Sequence, residues 1–99
     1  MKALKIAGIV SMCDVANDTH SIKNALLGGD VSTIGIYGGG VMIVDGEALN
    51  HGKPYNALAS MVAGMAVYGI ALIVGADDAH DDFDDVPDTF LALLGCGEE

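Results

Sequence analysis

Seven carboxylates and one histidine fall within thirteen positions near the end of the chain, in ADDAHDDFDDVPD at residues 76–88. A calcium site needs about six to eight oxygens that converge on one point, and the stretch lacks the central glycine and distal glutamate of an EF-hand. One imidazole among carboxylates would suit a softer divalent ion. Consecutive residues converge only where a turn directs them, so we predict no metal site and no cofactor. The residues of the metal alternative are His80, Asp77, Asp81 and Asp84.

The same carboxylates can form a binding surface for a basic protein, or can serve only to keep an apolar protein in solution. A helix would stack like charges such as Asp77 and Asp81, at a cost of about 0.2–0.5 kcal/mol per pair, and Pro87 disfavours helix at the residue before it. The sequence therefore predicts an extended loop. Closely spaced carboxylates imitate the charge density of a nucleic-acid backbone. The residues predicted to contact a partner are Asp77, Asp78, Asp81, Asp82, Asp84, Asp85 and Asp88.

Charge is distributed unevenly along the chain. Residues 1–53 contain four lysines and five acidic residues, whereas residues 54–99 contain nine acidic residues and neither Lys nor Arg. A protein that binds nucleic acid or anionic lipid needs Lys or Arg to neutralise phosphates. The net charge of −10 therefore argues against direct binding of either and favours a basic protein partner.

A second candidate site is SMCDVANDTHS at residues 11–21. Cys13 follows the first predicted strand and precedes a helix N-terminus, a place where ligands bind in α/β sheets and where the pKa of a thiol is lowered. His20 or Asp14 could assist such a thiol. Asp14 and Asp18 are also negative neighbours, which raise the pKa of a thiol. A sulfur-relay or carrier-type enzyme that uses Cys13 and His20 is therefore the alternative to a non-enzymatic protein.

Two segments, VSTIGIYGGGVMIV (31–44) and YGIALIVGADDA (68–79), resemble the DsrE-like sulfur-relay proteins. The resemblance implies a βα start, a strand that runs into a glycine turn, and a later strand led by glycine. In that family the sulfur-carrying cysteine follows the later strand. This chain has Asp77 and Asp78 there instead, so it is not identified as a member.

Apolar patterns and their breakers predict the elements that position these residues. They are a strand at 3–12 buried on both faces, a helix from 17–19 to 28, an antiparallel meander of two or three strands at 31–50, a helix at 55–68 stopped by Gly69, a strand at 70–74, and a helix after Pro87. This order indicates an α/β or α+β fold with one small mixed sheet of about four strands and two to three helices packed on it. We expect a single domain over residues 1–99. The segment GIYGGG (35–40) is interpreted as a turn or bulge, because no helix follows it to bind phosphate.

The apolar segment 56–75 has a competing interpretation, since twenty such residues are long enough to span a bilayer. Gly69 and the β-branched residues after it favour a helix, a turn and a strand in a soluble core instead. The first twelve residues lack a signal peptide, and Cys13 and Cys96 have no disulfide or zinc spacing. The sequence therefore predicts a cytoplasmic protein.

The composition also favours self-association, because a chain of 99 residues that is 52% hydrophobic has more apolar surface than a small monomer readily buries. A self-assembling shell or coat protein that packs through 56–75 is accordingly a third hypothesis. The leading prediction is a non-enzymatic, homo-oligomeric acidic protein that inhibits a basic partner by imitating nucleic acid.

Overall fold

The computed structural model describes residues 1–36, 39–77 and 82–93. These residues form two strands followed by one helix, three times in succession, with bounds as follows: β1 (Lys2–Ala7), β2 (Ile9–Asp14), α1 (Thr19–Ala25), β3 (Val31–Ile36), β4 (Gly40–Asp45), α2 (Ala57–Ala63), β5 (Ala71–Asp77), β6 (Asp82–Asp84) and α3 (Asp88–Leu93).

The strands form one six-stranded sheet with the order β2-β1-β5-β4-β3, and β6 pairs with the last residues of β5. β5 is central, because Ile73 is the strand partner of Leu4 in β1 and of Met42 in β4. The predicted α+β class is confirmed. The sheet has six strands rather than about four, and its described pairs are all antiparallel rather than mixed.

One of the additional strands arises where the sequence predicted a single strand at 3–12. These residues fold as the hairpin β1–β2, in which Ala7 is paired with Ile9 across Gly8. Gly8 has a φ of +88°, a conformation that L side chains rarely adopt. β2 therefore lies at an edge of the sheet, where Ile9 is 75% exposed, and the prediction of a strand buried on both faces was wrong for this half.

Helices cover both faces of the sheet. Successive residues of β5 point to opposite faces. Ile73 packs in the cluster that contains residues of α2 and α3. Leu72 and Val74 pack in the cluster that contains Ile22 of α1. All three β5 residues are fully buried, so this strand forms the centre of both cores.

α2 is shorter than the helix predicted at 55–68. It ends at Ala63 because Gly64 is left-handed, with a φ of 73°, and its N–H donates to the carbonyl of Ser60 at 2.9 Å. The apolar segment 56–75 is thus divided between a helix and a strand. Over the described ranges, no helix combines the length and the apolar character needed to cross a membrane.

Asn56 fixes the start of α2 against the sheet. As the N-cap it accepts a hydrogen bond from the amide of Ala59 at 3.1 Å. Its Nδ2 donates to the carbonyls of Ile6 at 2.9 Å and Gly69 at 2.8 Å. The side chain therefore connects α2 with the end of β1 and the segment before β5.

We expect Asn56→Ala to lower the free energy of unfolding by about 2–3 kcal/mol, since it removes a helix cap and leaves two buried carbonyls without their donor. Asn56→Asp is the matched variant, because it keeps the cap acceptor and replaces the two donated bonds with a carboxylate oxygen that faces two carbonyl oxygens. Urea denaturation measures both. If Asn56→Asp were as stable as the wild type, the contacts with Ile6 and Gly69 would contribute nothing.

α3 is anchored by Phe90, which is fully buried. Its ring lies over Gly40, where an added Cβ would be 2.5 Å from Phe90 Cε2. One glycine of the predicted turn at 35–40 therefore has a packing role, because only a residue without a side chain leaves room for the ring. Residues 37–38, and the predicted end of the last helix at 94–95, lie outside the described residues.

Candidate functional site

Exposed carboxylates from two separate segments meet at the end of the sheet where β1 begins. Asp14, the last residue of β2, is the strand partner of Lys2. The amide of Lys2 donates to Asp85 Oδ1 at 2.8 Å, and the amide of Val86 donates to the carbonyl of Lys2 at 2.9 Å. Asp14 and Asp85 therefore lie on either side of one residue, although they are far apart in the sequence.

A further contact holds the segment after β2 beside β6. Asn17 Nδ2 donates to the carbonyl of Phe83 at 3.2 Å. Asp18 caps α1 by accepting hydrogen bonds from the amide and the hydroxyl of Ser21 at 2.8 and 3.1 Å, and these bonds lower its pKa. The exposed carboxylates gathered here are called the acidic end, and its members are Asp14, Asp18, Asp84, Asp85 and Asp88.

Basic groups at the acidic end are fewer than its carboxylates. The amino group of Met1 lies 3.1 Å from Asp14 Oδ1, and the side chain of Lys2 is exposed. Asp14 is itself 84% exposed at the side chain, so the ion pair lies in water and is worth only about 0–1 kcal/mol. The described surface at this end is consequently negative.

The described part of the acidic stretch contains the paired strand β6 rather than only the extended loop that the sequence predicted. Asp77 and Asp82 are strand partners, and Phe83 lies opposite Ala76. Phe83 also packs against the α1-side core, which aligns β6 with the sheet. The apolar residue in the middle of the carboxylates is what overturns the loop prediction.

Three predicted site residues, Asp78, His80 and Asp81, lie outside the described residues. Two members of the predicted metal set are thus not placed. In the parts of the chain that the structure describes, no three His, Cys, Asp or Glu side chains are grouped so that they could hold a metal ion.

A mostly apolar groove lies at the opposite end of the sheet. The β1–β2 turn, the end of α1 and the segment before α2 surround this groove, and its volume is about 670 Å³. Leu27 and Tyr55 line it and are 76% and 59% exposed. Its polar side chains include Lys53 and Asn56, whose hydrogen bonds go to acceptors within the protein. The groove is therefore mostly apolar, whereas the acidic end carries exposed charges.

Asp45 is a buried carboxylate within the predicted meander at 31–50. It is 4% exposed and ends β4. Its Oδ1 accepts hydrogen bonds from the amides of Asp30 and Glu47, both at 2.9 Å. Its Oδ2 lies 2.7 Å from His51 Nδ1 and 3.0 Å from Lys53 Nζ. Both oxygens are satisfied.

The Asp45 cluster joins three segments of the chain. Lys53 Nζ also donates to the carbonyls of Leu26 at 3.1 Å and Gly28 at 2.9 Å, at the end of α1. Gly29 is packed against the carboxylate, and a Cβ there would collide with it. Burial by itself raises the pKa of Asp45, but the hydrogen bonds from His51, Lys53 and the two amides hold that pKa far below its usual range. The cluster acts as a structural ion pair.

The candidate thiol lies within a strand. Cys13 is half-buried in β2, and burial raises its pKa, while the charge of Lys5 lowers it and that of Asp14 raises it. His20 is exposed on α1, and its Nε2 is 3.3 Å from Asn24 Nδ2. No hydrogen bond among the described residues joins His20 to Cys13. The two residues of the predicted thiol site therefore lie on different elements, Cys13 in β2 and His20 in α1.

We expect Cys13 to react with iodoacetamide more slowly than free cysteine at neutral pH, because a raised pKa reduces the thiolate fraction. Peptide-resolved mass spectrometry separates its labelling from that of Cys96. The rate should rise with pH, with a midpoint above that of free cysteine. Labelling faster than free cysteine would contradict this prediction and favour the thiol alternative.

Comparison with known proteins gives one match. A family model described as "Domain of unknown function (DUF3846)" matches residues 3–95. No curated protein matches the chain, and no solved structure does.

Proposed function

The chain belongs to the DUF3846 family, a domain of unknown function, and we propose that in this member the acidic end binds a basic protein. The proposed partner carries a groove lined by Lys and Arg that otherwise holds nucleic acid, and occupation of that groove inhibits it. The proposed function is binding without catalysis. The observation that carries the proposal is the position of Asp14 and Asp85 on either side of Lys2.

Convergence matters because single exposed charges contribute little. An exposed ion pair is worth about 0–1 kcal/mol, so one carboxylate beside one lysine gives no useful affinity. Five carboxylates from two segments at one end of the sheet act together on a partner with several basic residues. Such a field also raises the rate of association with a partner of opposite charge.

The exposure of these side chains favours a large partner over a small cation. Asp14, Asp84, Asp85 and Asp88 all face solvent. A protein groove covers several of them at once and excludes water, which strengthens each charge interaction. The contacts of Asp77, Asp78, Asp81 and Asp82 with a partner and the cytoplasmic location stay predictions from the sequence.

The test compares two double variants that change the net charge equally. Asp84→Asn/Asp88→Asn removes charge from the acidic end, whereas Asp30→Asn/Glu47→Gln removes it from exposed residues beside the Asp45 cluster. We expect a partner captured from a lysate to bind the first variant about tenfold more weakly, to bind the second like the wild type, and to dissociate in high salt.

Competition with duplex DNA tests the inhibitory part of the proposal. A partner that uses a nucleic-acid groove should be displaced from the immobilised protein by DNA. A partner retained equally by both double variants would contradict binding through the acidic end. A partner that DNA does not displace would contradict the proposal that the acidic end imitates nucleic acid.

A further inference from the structure

The outer edge of β3 presents unpaired backbone groups. The amide of Gly46 donates to the carbonyl of Asp30 at 2.8 Å, and this bond shows which residues of β3 direct their backbone groups towards β4. In an antiparallel pair, alternate residues direct their N–H and C=O groups to the partner. Ser32 and Ile34 therefore bond to β4, and the backbone groups that point away from it belong to Val31, Thr33 and Gly35.

No described strand covers this edge, since β3 is the last strand of the sheet on its side over residues 1–36, 39–77 and 82–93. Natural edge strands commonly carry a charged side chain or a proline that prevents pairing with another chain. The strand VSTIGI contains neither. Thr33 and Gly35 are exposed. The edge is therefore open to a further strand.

Exposed apolar side chains lie beside the same edge. A groove of about 410 Å³ is lined by Ser32, Thr33 and Ile34 of β3 and by Leu49 and Met65. Leu49 is 66% exposed and Met65 is 55% exposed. Residues of a chain that pairs with β3 would cover this groove, and the apolar side chains that line it would be removed from water.

We propose that β3 pairs with β3 of a second copy of this chain, antiparallel and centred on Thr33, to give a two-fold symmetric dimer with one continuous sheet. Thr33 then lies opposite its own equivalent, and Val31 lies opposite Gly35 of the other copy. Each of these pairs exchanges two hydrogen bonds, because all of their backbone groups point outwards. A strand that is its own partner in this way suits an isologous interface.

The distribution of charge favours a second copy in this orientation. β3 runs from Val31, which follows the exposed Asp30, to Ile36 at the level of the acidic end. Antiparallel pairing places Asp30, the exposed acidic residue before β3, opposite Ile36 of the other copy, and the acidic end of each copy lies on strands away from the joint. The two acidic ends are then separated by about the length of a strand, roughly 20 Å, which exceeds the screening length of about 8 Å at physiological salt.

The two-fold axis also places the groove of each copy on the same face of the joined sheet. Leu49 and Met65 of both copies consequently lie next to the joint. The acidic end remains open in the dimer. The second-copy proposal is thus independent of the proposed partner, and each fails or holds without the other.

Sedimentation equilibrium of the wild type and of two proline variants tests the pairing. Thr33→Pro removes an outward-pointing N–H and leaves the bonds between β3 and β4 in place. Met12→Pro is the matched control on the other edge strand. The amide of Val15 donates to the carbonyl of Met1, so alternate residues of β2 bond to β1 and the N–H of Met12 points away from it, as that of Thr33 points away from β4. We expect a dimer for the wild type and Met12→Pro, and a monomer for Thr33→Pro with an unchanged circular dichroism spectrum.

Amide hydrogen exchange of the wild type supplies a measurement that does not depend on how a variant folds. Protection of the Thr33 and Gly35 amides should rise about tenfold as the dimer forms with increasing concentration. A concentration-independent monomer overturns the proposal, as does a dimer that Thr33→Pro leaves intact or that both proline variants break. Protection of these amides only when a different protein is added also overturns it, in favour of a foreign strand.

Discussion

Asp45→Ala is expected to lower the free energy of unfolding by about 3–5 kcal/mol, because removal of one partner of a buried ion pair leaves the other charge uncompensated. Lys53, with a side chain only 17% exposed, would keep its two carbonyl contacts and lose its counter-charge. The amides of Asp30 and Glu47 would lose their acceptor as well. Chemical denaturation measures the change.

Asp30→Ala is the matched control, since it removes an exposed carboxylate next to the same cluster. It should change the free energy of unfolding by less than about 0.5 kcal/mol. A similar loss in both variants would mean that the turn conformation, rather than the buried carboxylate, stabilises this region.

The Asp45 cluster should also shape the acid limb of the stability curve. The pKa of Asp45 is depressed in the folded state, so the unfolded chain binds more protons between that pKa and the ordinary aspartate value of about 3.9. The contribution of the Asp45 carboxylate to the free energy of unfolding is therefore complete above the pKa of the unfolded state, and it is lost progressively as the pH falls below about 5. Asp45→Asn should flatten this loss in thermal unfolding measured from neutral to acidic pH. An unchanged acid limb in the variant would assign the pH dependence to other carboxylates.

Phe90→Ala is expected to cost about 3–5 kcal/mol of unfolding free energy, as for other fully buried aromatic residues. The loss has two parts, because the ring is removed from the core and α3 loses its contact with β4 at Gly40. Guanidinium denaturation monitored by far-ultraviolet circular dichroism measures the total.

A double-mutant cycle with Gly40→Ala tests the contact itself. In the wild-type background the added methyl group collides with the ring, so Gly40→Ala should be strongly destabilising. In the Phe90→Ala background the same methyl group enters the space that the ring has left, and its cost should be smaller. Equal costs in both backgrounds would show that Gly40 is needed for its backbone rather than for the ring.

Local signals in the sequence predicted the helices better than the strands. The first helix was predicted to begin at residues 17–19, and Asp18 is the residue that caps α1. Pro87 was predicted in the first turn of the last helix, and α3 begins immediately after it. Cap residues and proline act within one turn of the chain, so their effect is visible without knowledge of the fold.

Non-local contacts were not visible in the sequence. A single glycine at position 8 turns β1 into β2, and the apolar residues on both sides of it continue one pattern. The partners of Asp45 come from the segment before β3 and from the turns after β4. The acidic end depends on a bond between residues 2 and 85. The sequence therefore predicted an acidic surface in the second half of the chain but not the contribution of Asp14 to it.

The central place of β5 has a consequence for synthesis on the ribosome. Its two neighbours, β1 and β4, belong to hairpins that do not pair with each other, so the sheet stays in two parts until residues 71–77 emerge. At about 5–20 residues per second, the interval after β4 lasts several seconds. During it, both hairpins expose the inner edge that β5 will occupy, and the first 53 residues carry four lysines against five acidic residues. Most of the negative charge that repels other copies thus reaches the nascent protein only as its sheet closes.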